Sequence, residues 1–430
     1  MPASGAARTK GLAMKKAPKA KSTKSTKSTK SVKSVKASAA PLRFAHPFFT
    51  TTPIALRTPV PGVGASLIDS IQGNLEPVPA VTGASVMQLA DVIGAQASQE
   101  IQASGSISFH AVGDTGKSAN SPQGDVAEAM ATDYNIAQPT ASPAFFFHLG
   151  DVIYGPGKDN AYRGEFYEPY MHYPGKIIAI PGNHDGEVFP KSDPKTLKAF
   201  QANFCAASQT VPPIAGTIFR QTMNQPGVYW YLNAPFVDIV GLYSNAAENP
   251  GFISGAIPGP AQKTWLVQTL QRIAAARQAG PRKALVMATH HPPFSAGGHS
   301  GSTQMLADID GACTQARIMP DMYLSGHAHS YQRYTRELNF NGRALQIPYI
   351  VAGTGGINDQ AIVAANGAKT GDHIFVKSLQ GYGYLLIKAQ GDTRGNAATL
   401  TATMYQVNTT TKQKSQYDQA TVTLATNTVH

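Results

Sequence analysis

Short apolar runs recur along the chain from residue 105 onward, and each run stops abruptly at polar residues. Near-continuous apolar runs of four to seven residues are typical of β-strands that are buried on both faces. The pattern therefore predicts five buried strands, at residues 106–112, 144–149, 176–180, 284–289 and 322–325.

Amphipathic stretches between these strands predict helical crossovers, and hence an α/β fold. The clearest helix is predicted over residues 262–279, where apolar positions recur at helical spacing and Gly280 and Pro281 follow. A second helix is predicted over residues 85–103.

Side chains that can bind a metal ion follow each predicted strand. They are Asp114, Asp151, Tyr154, Asn183, His290, His327 and His329. Ligands of α/β sheets bind beyond the carboxyl ends of the strands, so we expect these side chains to converge on one site. Adjacent glycines permit the sharp turns that aim short side chains inward.

The chemistry of these donors indicates the kind of metal. Carboxylate, imidazole, amide and phenol groups without a thiolate suit hard or borderline ions such as Fe, Mn, Zn or Mg. Seven donors exceed the needs of one ion, whereas two ions that share a bridging carboxylate would use them all. Two ions ~3.5–4 Å apart activate water and hold a phosphoryl group during displacement.

Each residue also has a structural interpretation. Asp114 and Asp151 could cap helices, Tyr154 could pack in the core, and Asn183 could be a turn residue. His290 is preferred over His291 as a ligand because it directly follows a strand. His110, His148 and His172 are expected to be structural, and Asp185 is expected to orient its neighbours. For Arg333, one interpretation is that it supports the turn that carries His327 and His329.

The ordered set of motifs resembles the calcineurin-like metallophosphoesterases, and within them the purple acid phosphatase branch. The motifs are GDTG at 113–116, GDVIY at 150–154, GNHD at 182–185, a histidine at 290 and GHAH at 326–329. Tyr154 points to that branch, as does the lack of a histidine at position 116. The resemblance covers roughly residues 105–405.

The resemblance implies a four-layer αββα sandwich, in which two mixed β-sheets are flanked by helices. It also implies two metal ions: Fe(III) held by Asp114, Tyr154 and His329, and a divalent ion (Fe, Zn or Mn) held by Asn183, His290 and His327, with Asp151 bridging them.

The implied reaction is hydrolysis of a small phosphorylated substrate by a metal-bound hydroxide, as in an acid phosphatase-like phosphomonoesterase. A phosphodiesterase or pyrophosphatase of the same fold is the alternative. His184 would protonate the leaving group, and His291 and His299 are candidate substrate-binding residues.

The formal charge of +11 lies entirely in the first 40 residues, which contain ten lysines and Arg8 and no acidic residue. From Lys21 this segment repeats a Lys-Ser-Thr/Val unit, which predicts a disordered tail. The predicted organisation is a tail at 1–40, an N-terminal extension at 41–104 and a catalytic domain at 105–430. A different class of function would be binding of nucleic acid or anionic surfaces through the tail.

Other features exclude whole classes of protein. No run approaches the ~18 apolar residues of a membrane-spanning helix. Two cysteines exclude a disulfide framework, although Cys205 and Cys313 could pair. No apolar segment follows the basic tail as in a secretory signal, which favours an intracellular protein, whereas the resemblance favours an exported one. Localisation and oligomeric state are left open.

Overall fold

The computed structural model describes residues 75–82, 86–154, 159–186, 197–297 and 299–430. The predicted tail at 1–40 and the first part of the predicted extension lie outside the described residues. The division of the chain into tail, extension and catalytic domain therefore stays a prediction.

The strands of the described residues form two mixed sheets, one of nine strands and one of seven. They are β1 Val86–Gln88, β2 Ser106–Val112, β3 Phe145–His148, β4 Lys176–Ala179, β5 Trp230–Ala234, β6 Val237–Gly241, β7 Ala284–Ala288, β8 Met322–Ser325, β9 Tyr331–Phe340, β10 Arg343–Ala352, β11 Lys369–Thr370, β12 His373–Leu379, β13 Gly383–Gly391, β14 Ala397–Asn408, β15 Gln413–Thr423 and β16 Thr428–Val429. The nine-stranded sheet has the order β1-β5-β6-β7-β8-β10-β9-β12-β11, and the seven-stranded sheet has the order β16-β15-β14-β13-β2-β3-β4.

The helices lie mostly between strands. They are α1 Leu89–Ile93, α2 Ala95–Ser104, α3 Pro122–Ala131, α4 Asp159–Tyr162, α5 Asn183–Gly186, α6 Lys198–Phe204, α7 Ala261–Ala279 and α8 Thr303–Ala316, with a π-helical turn at Arg163–Tyr167 and 3₁₀ turns at Pro139–Ala141 and Pro213–Ala215. None of these helices of the described segments is long and apolar enough to cross a membrane.

Successive side chains of β7 point to opposite faces of the sheet, into two different clusters of the core. Val286 packs in the cluster that fills the space between the sheets, together with Phe109 and Phe147 of the other sheet. Leu285 and Met287 point the opposite way, into the cluster that α7 and α8 form on the outer face. The fold is therefore two mixed sheets flanked by helices, as in metallophosphoesterases, and the predicted fold class is confirmed.

The five strands predicted from the apolar runs are confirmed as β2, β3, β4, β7 and β8, with ends that differ by at most one residue. The helix predicted over 262–279 is confirmed as α7. Its buried side includes Leu266, Leu270 and Ile273. Both cysteines are free, so Cys205 and Cys313 do not pair.

The single helix predicted over 85–103 is wrong. Val86–Gln88 form β1, which pairs in parallel with Tyr231–Asn233 of β5. Gly94, at φ 91°, then separates α1 from α2. Glycine adopts this backbone conformation without a steric penalty, so the helical spacing continues across a break that only the backbone reveals.

Candidate metal centre

Loops at the carboxyl ends of strands from both sheets meet at one place. The strands β2, β3 and β4 are parallel in one sheet, and β6, β7 and β8 are parallel in the other. The amide of Asp114 donates to the Gly150 carbonyl at 3.0 Å, and the amide of Gly326 donates to the His290 carbonyl at 2.9 Å. These backbone bonds bring the predicted ligand-bearing loops together.

Three residues of these loops have unusual backbone conformations. Asp114, Asp151 and His327 have φ values of 59°, 52° and 67°. Left-handed conformations cost non-glycine residues about 1–3 kcal/mol each and are concentrated at functional sites. The surrounding structure holds these three side chains in place against that strain.

Glycines allow the carboxylates to lie close to neighbouring backbone. A Cβ atom on Gly326 would lie 2.5 Å from Asp114 Oδ2, and one on Gly182 would overlap Asp151 Oδ1. Both positions therefore exclude any larger residue without movement of a carboxylate.

One group of donors surrounds the carboxylate of Asp151. Ligand atoms of Asp151, His290 and His327 lie within 4.8 Å of one another, and all three residues are buried. His290 Nε2 lies 3.3 Å from Asp151 Oδ2 and 3.1 Å from Asn183 Oδ1. Asn183 is thus directed at the same point as His290.

The second group surrounds the carboxylate of Asp114. The Tyr154 hydroxyl donates to Asp114 Oδ1 at 3.2 Å and lies 3.2 Å from His329 Nε2. His329 Nε2 lies 3.6 Å from Asp114 Oδ1. The His327 amide donates to Asp114 Oδ2 at 2.7 Å, which links this group to the first.

Backbone carbonyls fix the orientation of two of the imidazoles. His290 donates its Nδ1 proton to the Leu149 carbonyl at 2.9 Å, and His329 donates its Nδ1 proton to the Asn358 carbonyl at 3.0 Å. Each ring therefore presents Nε2 to the site. Metal-binding histidines are usually oriented by such a bond from the other ring nitrogen.

The electrostatics of the site favour a bound cation. Burial raises the pKa of Asp114 to about 7; His290 opposes this shift and Asp151 adds to it. Burial disfavours a charged His290, but Asp151 and Asp114 outweigh it and raise the pKa of His290 to about 9. Burial and neighbouring imidazoles lower the pKa of His327 well below its ordinary value, so that ring stays neutral and able to bind a metal.

An orphaned oxygen gives a direct test of whether a metal fits. Asp151 Oδ2 is buried and, although His290 Nε2 lies 3.3 Å away, it accepts no hydrogen bond from the described residues. A buried carboxylate oxygen of this kind is costly unless a donor or a cation satisfies it. The oxygen faces the imidazole and amide ligands described above, so the residues fit a bound metal ion.

A comparison with known families identifies the chain. The family model described as calcineurin-like phosphoesterase matches residues 107–331, which is more than half of the chain. The chain belongs to the calcineurin-like phosphoesterase family.

Solved structures that are similar to the chain include the following two, whereas no curated protein matches it. One is GAP50, titled the anchor in the inner membrane complex of Plasmodium; it is 12% identical with a TM-score of 0.46, over 70% of this chain and 84% of that one. The other is PhoD, which is 12% identical with a TM-score of 0.45, over 76% of this chain and 71% of that one.

In this phosphoesterase, His184 lies against the loops that carry the candidate metal ligands. Its amide donates to Asp151 Oδ1 at 3.0 Å, and its ring centroid lies 4.5 Å from that of Tyr154. His184 Nε2 lies 4.0 Å from Asp151 Oδ2. The structure therefore brings His184 together with both groups of donors.

The two histidines predicted to bind substrate have different surroundings. His291 is buried; it accepts from the Ser244 hydroxyl at 2.7 Å and donates Nε2–H to the Ala247 carbonyl at 2.8 Å. His299 packs its ring 4.2 Å from that of His327, and its Nδ1 lies 3.5 Å from Glu248 Oε1. His299 lies beside the site and is partly exposed, and its ring nitrogens lie 3.1 Å from Asn249 Nδ2 and 2.9 Å from Gln360 Nε2.

Asp185 ties two loops of the site together. Its carboxylate accepts from the amides of Gly182, Val152 and Ile153, at 2.8 Å, 3.1 Å and 3.3 Å. These amides flank Asn183 and Asp151, so Asp185 orients its neighbours.

The other histidines near the motifs have structural surroundings. His148 bonds to Thr115 Oγ1 at 2.8 Å, and His110 bonds to Asp133 at 3.0 Å and to the Tyr173 hydroxyl at 2.9 Å. His172 is half-buried near Glu128. Arg333 pairs with Asp418 at 2.7 Å and so joins β9 to β15.

Two residues in the loop that follows β6 lie beside the site but were missed by sequence reasoning. Glu248 Oε2 accepts from Asn183 Nδ2 at 3.0 Å, which directs the amide oxygen of Asn183 toward His290. Asn249 Oδ1 lies 3.3 Å from His327 Nε2. The available signal was that strand 237–241, like its parallel neighbours, is followed by polar residues.

Proposed function

We propose that this phosphoesterase contains a binuclear metal centre and acts as an acid phosphatase-like phosphomonoesterase. One observation carries the proposal: the buried Asp151 carboxylate borders both groups of donors. Asp151 lies 3.3 Å from His290, which belongs to the first group. Burial, Asp114 and Asp151 raise the pKa of Tyr154, so Asp151 also lies close to the second group. A carboxylate in that position is suited to bridge two ions.

The donor chemistry supports different ions at the two positions. Asp114, Tyr154 and His329 would hold Fe(III), because a carboxylate and a phenolate offset its charge. Asn183, His290 and His327 would hold a divalent ion (Fe, Zn or Mn), because their ligand atoms are neutral when metal-bound. The ions would supply an activated water and neutralise charge on the phosphoryl group.

His184 is the proposed proton donor to the leaving oxygen. It is 3% exposed and lies against Tyr154 and Asp151, so its position is fixed by the same loops that hold the donors. A positioned histidine contributes ~10²–10⁴-fold to such a step.

His299 is the proposed contact to the substrate phosphate because its ring borders His327 and His329. For His291 we propose a supporting role, since it is fully buried, whereas His299 is partly exposed, and its ring nitrogens bond to Ser244 and Ala247. Its ring centroid lies 4.2 Å from that of His327, so it can hold that side chain in place.

The substrate class is tested by comparing 4-nitrophenyl phosphate, bis(4-nitrophenyl) phosphate and pyrophosphate at equal concentrations. The proposal expects the highest kcat/KM for the monoester, and Asp151→Asn should abolish that activity. A higher kcat/KM for the diester or for pyrophosphate would show instead a phosphodiesterase or a pyrophosphatase of the same fold.

For residues 1–40 we propose non-specific contact with polyanions, because the excess positive charge is concentrated there. Deleting them should leave monoester hydrolysis unchanged and remove any binding to RNA that weakens steeply with salt. Loss of hydrolysis on deletion would instead place the segment in the catalytic function.

A further inference from the structure

A cavity lined by arginines lies at the opposite ends of β7 and β8 from the metal centre. It has a volume of about 230 Å³, and its described lining includes Arg277, Arg282, Arg317, Arg343 and Asp321. Asp321 precedes β8, whereas His327 follows it, and six residues of extended chain span roughly 20 Å. The cavity is therefore separate from the site described above.

Asp321, the only carboxylate in the described lining, is already saturated. It accepts from Arg277 at 2.8 Å, Arg282 at 2.6 Å, Asn427 Nδ2 at 3.0 Å and the Leu285 amide at 2.8 Å. These bonds use both of its oxygens. Asp321 therefore holds two of the arginines in place and offsets only one of their charges.

The other two arginines have no carboxylate partner in the described part of the chain. Arg343 donates to the Ala425 carbonyl at 3.2 Å, which is a neutral acceptor. Arg317 is the C-cap residue of α8, and it is exposed where it lines the cavity. Guanidinium groups stay charged in proteins, so the described lining is electropositive although the chain beyond residue 40 has balanced charges.

Two buried donors in the cavity wall are also unused. Nε of Arg277 and Nε of Arg282 are buried without a hydrogen-bond partner among the described residues. Burial and the charges of Arg277 and Arg343 lower the pKa of Arg282, although Asp321 opposes this, so these guanidinium groups repel one another at short range. An anion in the cavity would offset that repulsion.

The geometry points to a second anion site, and we propose that this cavity binds a small phosphate dianion. Arginine forks match the oxygens of phosphate, and Phe340 and Leu345 provide an apolar wall beside them. At ~30 Å³ per water, the cavity of about 230 Å³ is equivalent to about eight waters, which admits a phosphate group with a few carbon atoms. The phosphate could be inorganic or part of a small organic phosphate.

The test is a calorimetric titration of the metal-loaded protein with inorganic phosphate and, separately, with methylphosphonate, which cannot be hydrolysed at its P–C bond. The wild type should bind a phosphate probe in two classes of site, one of them at the metal centre. Arg317→Gln combined with Arg343→Gln should weaken the other class by roughly ten-fold or more, because each change removes a charge-assisted contact.

The matched control is Arg272→Gln, on the exposed side of α7 and outside the cavity lining, which should leave both classes unchanged. Arg317 and Arg343 are exposed, so the double variant should fold, and a double lysine variant should retain part of the affinity. Preference for phosphate or for methylphosphonate identifies the source of the dianion. The assignment of one class to the metal centre rests on the proposed function, and that class alone should disappear when the metal is removed. Phosphate binding that is the same in the double glutamine variant as in the wild type, with or without metal, would overturn the cavity proposal.

Discussion

Asp185 offers a way to loosen the metal centre without removing a ligand. Its carboxylate accepts amide bonds from Gly182, Val152 and Ile153. In Asp185→Asn, one oxygen becomes an NH₂ group that faces backbone donors, so at least one charge-assisted bond is lost and one buried amide loses its acceptor. Leaving one buried donor without its acceptor costs ~1–3 kcal/mol, so we expect a loss of about that size in unfolding free energy.

This loss is smaller than the ~5–15 kcal/mol that stabilises a typical domain, so the variant should fold. Changes in groups that support metal ligands usually lower metal affinity ~10–100-fold, and we expect that range here. The measurement is metal affinity by equilibrium dialysis, together with denaturant unfolding. Work at pH 8 keeps the carboxylate charged in the wild type, because burial and Asp151 raise the pKa of Asp185 to about 7.

Glu128→Gln is the matched control, since Glu128 is an exposed acid on α3. It should change neither the stability nor the metal affinity. If Asp185→Asn lowers stability but binds metal as tightly as the wild type, the residue only supports the fold, and the argument that it positions the ligands is refuted.

Three further predictions concern individual side chains. Tyr154→Phe should remove the visible absorption band expected of Fe(III) bound to a phenolate; an unchanged spectrum would refute the Tyr154 assignment. His184→Asn should lower kcat by ~10²–10⁴-fold with an unchanged metal content, and a parallel loss of metal would show a structural role instead. The pKa of His290 is raised to about 9 in the folded protein, compared with ~6.5 in the unfolded chain. The charged imidazole therefore stabilises the metal-free protein fully below pH ~6.5, and this contribution is lost as the pH rises through 9. The melting temperature of chelator-treated protein should therefore fall between pH 7 and 9.5 relative to a His290→Gln control, and equal slopes would contradict this.

The sequence predicted the buried parallel strands because their apolar runs are short, nearly unbroken and followed by polar residues. It did not predict β1, whose three residues gain strand structure only by pairing with β5. It also left unpredicted the long strands at the C-terminal end, such as β15, whose side chains are largely exposed or half-buried and show no continuous apolar run.

The site shows the same division. The predicted donors follow strands, which was enough to expect them at one site, whereas their division into two groups came from the family resemblance. Glu248 and Asn249 lie in an irregular loop before a proline, and their contacts with Asn183 and His327 join segments far apart in the chain. The contact of Glu248 with Asn183 depends on how the two sheets pack together, and that of Asn249 with His327 depends on which strands are neighbours in one sheet; no local pattern encodes either.

The central claim is most directly tested by measuring the metal content of the purified protein together with monoester hydrolysis. The account predicts about two metal ions per chain, and loss of both hydrolysis and most bound metal in Asp151→Asn. Full hydrolysis by Asp151→Asn, or by protein stripped of metal, would contradict it.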